Sequence, residues 1–142
     1  IVSINNAKTS RGTLTGIAKD MYVPRMDWAD SSEQILIQQM NRKQDTKTLY
    51  YANAATGDIS PVFTEKEETY LELFDDPFWL ENSEAFLWQS ERDGWRHIYK
   101  VSRDGKSLTD LTTGNFDVTE FISADEATNW LYFIASPENP TQ

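Results

Sequence analysis

The chain has 142 residues, with 23 acidic and 13 basic side chains, one His, no Cys and a net charge of −10. A chain of this length can bury the core of one ordinary domain, and its 39% hydrophobic and 13% aromatic content is too rich for a disordered tail. The negative charge argues against nucleic acid and anionic lipid as partners, since both would repel it, while the lack of Cys excludes disulfides and thiolate metal sites and leaves the compartment open.

Charge is uneven along the chain: residues 1–43 carry a net +2 and residues 44–142 a net −12. No apolar run approaches the roughly 20 residues of a membrane span. Ile1-Val2-Ser3-Ile4-Asn5 shows neither a basic nor an apolar leader pattern, so no targeting signal is expected within the chain. A sequence running from Ile1 to Pro140-Thr141-Gln142 is expected to be a segment of something longer.

In chain order, residues 1–21 read as outer strands of a unit preceding the rest. Gln34–Met40 is the first clear strand, a short run of Ile, Leu and Met bounded by polar residues. Thr56-Gly57-Asp58 supplies a turn. Glu65–Phe74 reads equally as a short helix or as a loop leading into a strand. Ala85–Gln89 and His97–Val101 are strands joined through Asp93-Gly94, and Asp104-Gly105 makes the next turn; these dipeptides supply the positive φ of tight hairpins. Trp130–Ala135 is the last strand. Apolar residues are adjacent or alternate and show no 3.6-residue period, so the expected class is all-β.

The sequence also repeats. Trp28–Gln38 aligns with Trp79–Gln89 at an offset of 51, Leu49-Tyr50 with Ile98-Tyr99, Thr56-Gly57 with Asp104-Gly105, and Val62–Thr64 with Leu111–Thr113. A third copy begins at Phe121–Asp125 and reaches Trp130–Ser136. A period of this size is that of a four-stranded propeller blade. The expected architecture is a partial β-propeller of about three blades in one domain fragment: outer strands in 1–21, blades in 22–68 and 69–115, and an incomplete blade in 116–142. Such a piece cannot close a ring, and its raw sheet edges are expected to drive self-association.

Several motifs resemble one family. Tyr22-Val23-Pro24-Arg25-Met26-Asp27-Trp28, Met40-Asn41-Arg42-Lys43-Gln44-Asp45, Ser90-Glu91-Arg92-Asp93-Gly94-Trp95-Arg96-His97-Ile98-Tyr99 and Leu111–Val118 occur in order and at family spacing. The chain resembles the later blades of the propeller of dipeptidyl peptidase IV-like serine peptidases. The resemblance implies that the propeller caps an α/β-hydrolase domain with a Ser-Asp-His triad and restricts it to peptide ends. It also implies a propeller Glu pair that holds the substrate amine, release of dipeptides after Pro or Ala, and an extracytoplasmic location, periplasmic, secreted or membrane-anchored. The expected partners are thus peptide substrates of the full-length parent and its own hydrolase domain. The alternatives are a binding-only scaffold propeller of the TolB type and the propeller of another peptidase of the prolyl oligopeptidase clan.

No residue here is assigned a catalytic, cofactor-binding or metal-binding role, and no cofactor is expected. Gly12 and Gly16 have the spacing of a nucleophile elbow, but Leu14 stands at its centre. His97 lies inside a strand with no nucleophile motif beside it, and is read as a hydrogen-bonded blade histidine. One His without Cys does not suggest zinc. Glu67-Glu68 does not match the family's amine-binding context and is read as a solvated acidic loop. The eight carboxylates between Glu65 and Glu84, set against Lys66, could steer cationic peptides, but the solvated reading is preferred. Asp75-Asp76 lacks calcium-loop spacing. Arg92-Asp93-Gly94-Trp95-Arg96 is read as a structural turn rather than an exposed binding surface. Trp28, Trp79, Phe86, Trp88, Tyr99, Trp130, Tyr132 and Phe133 are expected to pack between blades rather than stack on carbohydrate.

Overall fold

The structure is a computed structural model; it describes residues 20–72, 77–80 and 83–136. Two compact units divide the chain, Ile1–Glu72 and Leu73–Gln142. All regular structure among the described residues is antiparallel β, and the segment 67–72 is irregular rather than helical, with Glu65 and Lys66 closing a strand.

In the first unit, β1 (Met21–Trp28), β2 (Gln34–Asn41), β3 (Thr46–Asn53) and β4 (Ile59–Lys66) form a meander in the order β1-β2-β3-β4. β2 is buried along nearly its whole length, which is why its sequence reads as a continuous run rather than an alternation. Ile35, Ile37 and Ala52 form one core face with Tyr50 and Ile59 against them. The two strand prolines mark the irregularities: the β1–β2 register slips between Tyr22 and Arg25, around Pro24, and the β3–β4 register slips beside Pro61. Both lie in the outer strands, where a residue without an N–H is tolerated.

In the second unit, β5 (Phe78–Trp79), β6 (Ala85–Ser90), β7 (His97–Ser102) and β8 (Leu108–Asp110) repeat the same order. A two-stranded hairpin of β9 (Val118–Asp125) and β10 (Trp130–Ala135) follows. Leu80, Ala85, Leu87, Ile98 and Val118 make the core, covered by Phe116, Phe121, Ala124, Leu131 and Phe133. Phe78 meets Phe121 edge-on at 5.2 Å and Phe116 stacks on Phe133 at 6.4 Å, both within the geometry aromatic pairs favour.

The sequence repeat is a repeat of backbone pairing. Trp28 faces Ile35 as Trp79 faces Phe86, and Gln38 faces Leu49 as Gln89 faces Ile98. The loops close alike: Ala54 N donates to Glu33 O and Arg103 N to Glu84 O, each at 2.8 Å. Gly57 (φ 82°), Gly94 (95°) and Gly105 (72°) occupy the left-handed region at the three expected turns. Asp30, Gln44, Ser83 and Asn129 adopt it too, without the glycine that would have announced those turns.

Candidate functional site

The most connected polar region of the second unit is the β6–β7 turn with the segment after β8. Ser90 Oγ accepts from Arg92 Nε at 3.1 Å, and Gly94 N closes the turn on Glu91 O at 2.8 Å. Arg96 forks onto Glu91 Oε1 with Nε and a terminal nitrogen, both at 3.2 Å, so the arginine is neutralised inside its own hairpin. Arg92 lies 5.1 Å from the Tyr99 ring centroid, in cation–π range, while Trp95 stays partly exposed. Arg96 N donates to Asp117 Oδ1, and Val118 N to Arg96 O, which ties the start of β9 to this turn.

His97 is 0% exposed. Its Nε2 lies 3.0 Å from Gly114 O and its Nδ1 3.1 Å from Thr112 Oγ1. A carbonyl only accepts, which assigns the ring proton to Nε2; Thr112 Oγ1 accepts from Ile98 N at 2.9 Å and turns its own hydrogen to Nδ1. Every polar atom of this group is therefore satisfied internally. Phe116 packs edge-on against the ring at 5.4 Å, and a Cβ added at Gly114 would collide with that same phenyl. Asp93, His97 and Asp110 each bring a ligand atom within 4.8 Å of the others. Both imidazole nitrogens already hold protein partners, however, which leaves only the two carboxylates with free lone pairs, and we assign the cluster no metal. Burial pushes the Tyr99 hydroxyl up to about 12, helped by the neighbouring Asp93 and Asp110 carboxylates and opposed by Arg92.

The first unit has a different centre. Lys47 is 1% exposed and Glu65 4%, and Lys47 Nζ sits 3.3 Å from Glu65 Oε2 and 3.4 Å from Glu72 O. The following segment lies on the β2–β3 turn, with Glu67 N donating to Asp45 O at 3.0 Å and Leu71 N to Gln44 O at 2.7 Å. Hydrogen bonds from Lys43 first, then Asn41, hold the Asp45 carboxyl down to about 2.

These positions settle where the sequence candidates lie. Glu67 is half-buried and Glu68 exposed, on the segment Lys47 fastens. Gly12, Leu14, Gly16 and the Asp75-Asp76 pair lie outside the described residues, as do residues 1–19 of the expected outer strands and Glu81 of the acidic stretch. The aromatic set divides. Phe86, Trp88 and Tyr99 are buried and Trp79 and Phe133 half-buried, whereas Trp28, Trp130 and Tyr132 are exposed. β10 alternates, so Leu131 and Phe133 turn to the core while Trp130, Tyr132 and Ile134 turn outward. The Lys47–Glu65 pair was missed because the two residues stand 18 apart, and only the β3–β4 register, which sets Lys47 opposite Glu65, brings them together.

All 142 residues match the family described as the dipeptidyl peptidase IV (DPP IV) N-terminal region. The chain belongs to that family. The "Probable dipeptidyl peptidase 4" of Emericella nidulans is 23% identical over 166 residues, covering 99% of this chain and 20% of that protein. The "Inactive dipeptidyl peptidase 10" of Mus musculus is 23% identical over 133 residues, covering 87% of this chain and 17% of its own length. The crystal structure of Porphyromonas gingivalis dipeptidyl peptidase 4 superposes with a TM-score of 0.84 at 23% identity, over 98% of this chain and 20% of that one. The chain thus spans about a fifth of the length of the relatives it matches. The fold is all-β and propeller-like, and each four-stranded sheet is a blade of the DPP IV type.

Proposed function

We propose that this DPP IV N-terminal segment is a non-catalytic part of a serine exopeptidase that releases N-terminal dipeptides after Pro or Ala. Its blades, bounded near residues 22–68 and 69–115 with an incomplete one in 116–142, contribute to a ring that restricts access to an α/β-hydrolase domain elsewhere in the parent. The observation that carries this reading is the full-length match to the DPP IV N-terminal region. The inert character of the segment rests on His97, the chain's single histidine, whose two nitrogens are spent on Thr112 and Gly114 rather than on a nucleophile. The family resemblance supports an extracytoplasmic location for the parent. By itself, chain 1–142 is proposed to self-associate. Among the described residues β10 pairs only with β9, and Trp130 stands 65% exposed on an uncharged strand.

The test is to express the full-length parent and assay it on an X-Pro anilide and on its N-acetylated form. Turnover of the free-amine substrate alone supports the reading, with the isolated chain showing none. A parent with no turnover on either would favour a second reading, a binding scaffold, which the similarity to a relative named as inactive supports. Sedimentation velocity on chain 1–142 checks the association; a monomer at all concentrations would dismiss it.

A further inference from the structure

We propose that the buried Lys47 ammonium is a latch for the acidic segment Glu65–Glu72, gripping both ends and deciding whether the segment lies on the sheet or swings into solvent. This inference concerns the chain's own mechanics and stands whether or not the parent is a peptidase.

The geometry is a clamp. One ammonium in β3 faces the Glu65 carboxylate at 3.3 Å, where the segment begins, and the Glu72 carbonyl at 3.4 Å, where it ends. Beyond Lys66, which still pairs with Thr46 in the β3–β4 ladder, the segment meets the sheet through backbone bonds from Glu67 N and Leu71 N and through one buried side chain, Leu71. Lys66, Glu68, Thr69, Tyr70 and Glu72 face solvent. Two bonds near the surface and one leucine are the profile of an element that opens locally.

Charge sharpens the argument. The segment holds Glu65, Glu67, Glu68 and Glu72 against Lys66, so its own groups repel one another. The Lys47 charge is the compensating one beneath it, in an environment where hydrogen bonds to an ionised group are strong. The landing site is ordered in advance. Asn41 Oδ1 accepts from Asp45 N and Thr46 N, both at 3.1 Å, Asn41 Nδ2 donates to Asp45 Oδ1 at 2.7 Å, and Gln44 is held at φ 62°. Opening is therefore a motion of the segment away from a fixed turn, with Lys47 as its controlling contact.

Hydrogen exchange of the Glu67 and Leu71 amides in chain 1–142 tests this. Lys47→Met should speed exchange at both by about tenfold or more relative to the β2 and β3 amides. Because it strands the Glu65 carboxylate and lowers stability generally, K47M is paired with K47M/E65L, which removes both buried charges and should return the sheet near its original stability. The latch predicts that the Glu67 and Leu71 amides stay fast in K47M/E65L although the sheet has recovered, because Glu72 O still lacks its ammonium. Cleavage by a glutamyl endopeptidase at Glu67 and Glu68 should rise in parallel. Protection of the two amides that returns to the original level in K47M/E65L, or that K47M leaves unchanged, overturns the proposal; if K47M alone fails to fold, the double variant decides.

Discussion

The two four-stranded sheets solve one problem with different chemistry. In each, the chain leaves the fourth strand and crosses the turn between the second and third, and in each a buried basic side chain at the start of the third strand holds that crossing by a backbone carbonyl. In the first sheet Lys47 takes Glu72 O at 3.4 Å; in the second His97 takes Gly114 O at 3.0 Å. Lysine buried to 1% keeps its charge and so needs a carboxylate, Glu65, buried beside it. Histidine can be buried neutral and needs only the Thr112 hydroxyl to complete its bonds. The difference teaches that the first crossing is held by a buried charge pair, sensitive to loss of either member, and the second by a hydrogen-bonded network spread over several groups, with the half-exposed Asp93 carboxylate 3.6 Å from His97 Nε2.

The largest expected effect is at the charged fastening. Lys47→Ala leaves Glu65 buried without its ammonium and should lower stability by about 3–5 kcal/mol, read as a shift in the denaturation midpoint. His97→Leu removes a group of similar burial without stranding a charge. Its cost is that of leaving Thr112 Oγ1 and Gly114 O short of a partner, about 2–3 kcal/mol. Equal losses at the two sites would break the comparison, because they would mean that the Lys47 charge matters no more than a hydrogen bond.

Glycines separate packing from backbone conformation within the second network. Gly114→Ala drives a methyl into the Phe116 ring, which is held between His97 and Phe133, and should cost about 1–2 kcal/mol through overpacking. Gly94→Ala meets nothing within 4 Å, yet φ 95° is strained for any L side chain, so about 1 kcal/mol is expected from conformation alone. Gly94→Asn should recover part of the second loss, since Asn tolerates left-handed geometry, whereas Gly114→Asn should worsen the first. Thermal unfolding of the four variants distinguishes these outcomes.

Much of the fold was legible because the repeat is written in types of residue that sheets require. Trp28 and Trp79 mark paired positions, and glycine marks the turns at Gly57, Gly94 and Gly105. The fastenings were not legible. Lys47 and Glu65 meet only through strand register, and by the repeat Lys47 corresponds to Arg96 rather than to His97, so equivalent roles sit one residue apart. At the position matching His97 the first sheet has Thr48, whose hydroxyl meets that of Thr64 at 2.9 Å on an exposed face. Of the turns without glycine, Asp30 and Asn129 carry a weak mark, since Asp and Asn tolerate left-handed geometry, whereas Gln44 and Ser83 carry none. Trp28, Trp130 and Tyr132, expected to pack between blades, are exposed, because aromatic content fixes a tendency to bury while the side on which a strand's neighbour lies is fixed by topology.

The smallest effect at neutral pH sharpens the same contrast from the alkaline side. Tyr99 lies beside the His97 network, and burial first, then Asp93 and Asp110, raise its hydroxyl from 10.0 to about 12. A folded-state value above the unfolded one means the native state holds that proton more tightly, so its stabilising contribution is complete below pH 10 and is lost as pH rises toward about 12. Tyr99→Phe should therefore change little at pH 7, yet reduce the fall in stability between pH 10 and 12. The first crossing contrasts at the acid end. There the perturbed residue is Asp45, held down to about 2, whose contribution is complete above 3.8 and disappears only as pH falls toward 2. Exchange at the Leu71 and Val118 amides, followed from neutral pH into acid, should then loosen the first crossing before the second. Loss of both protections at a single pH would mean that the two crossings open together, and that the chemical difference between them has no mechanical consequence.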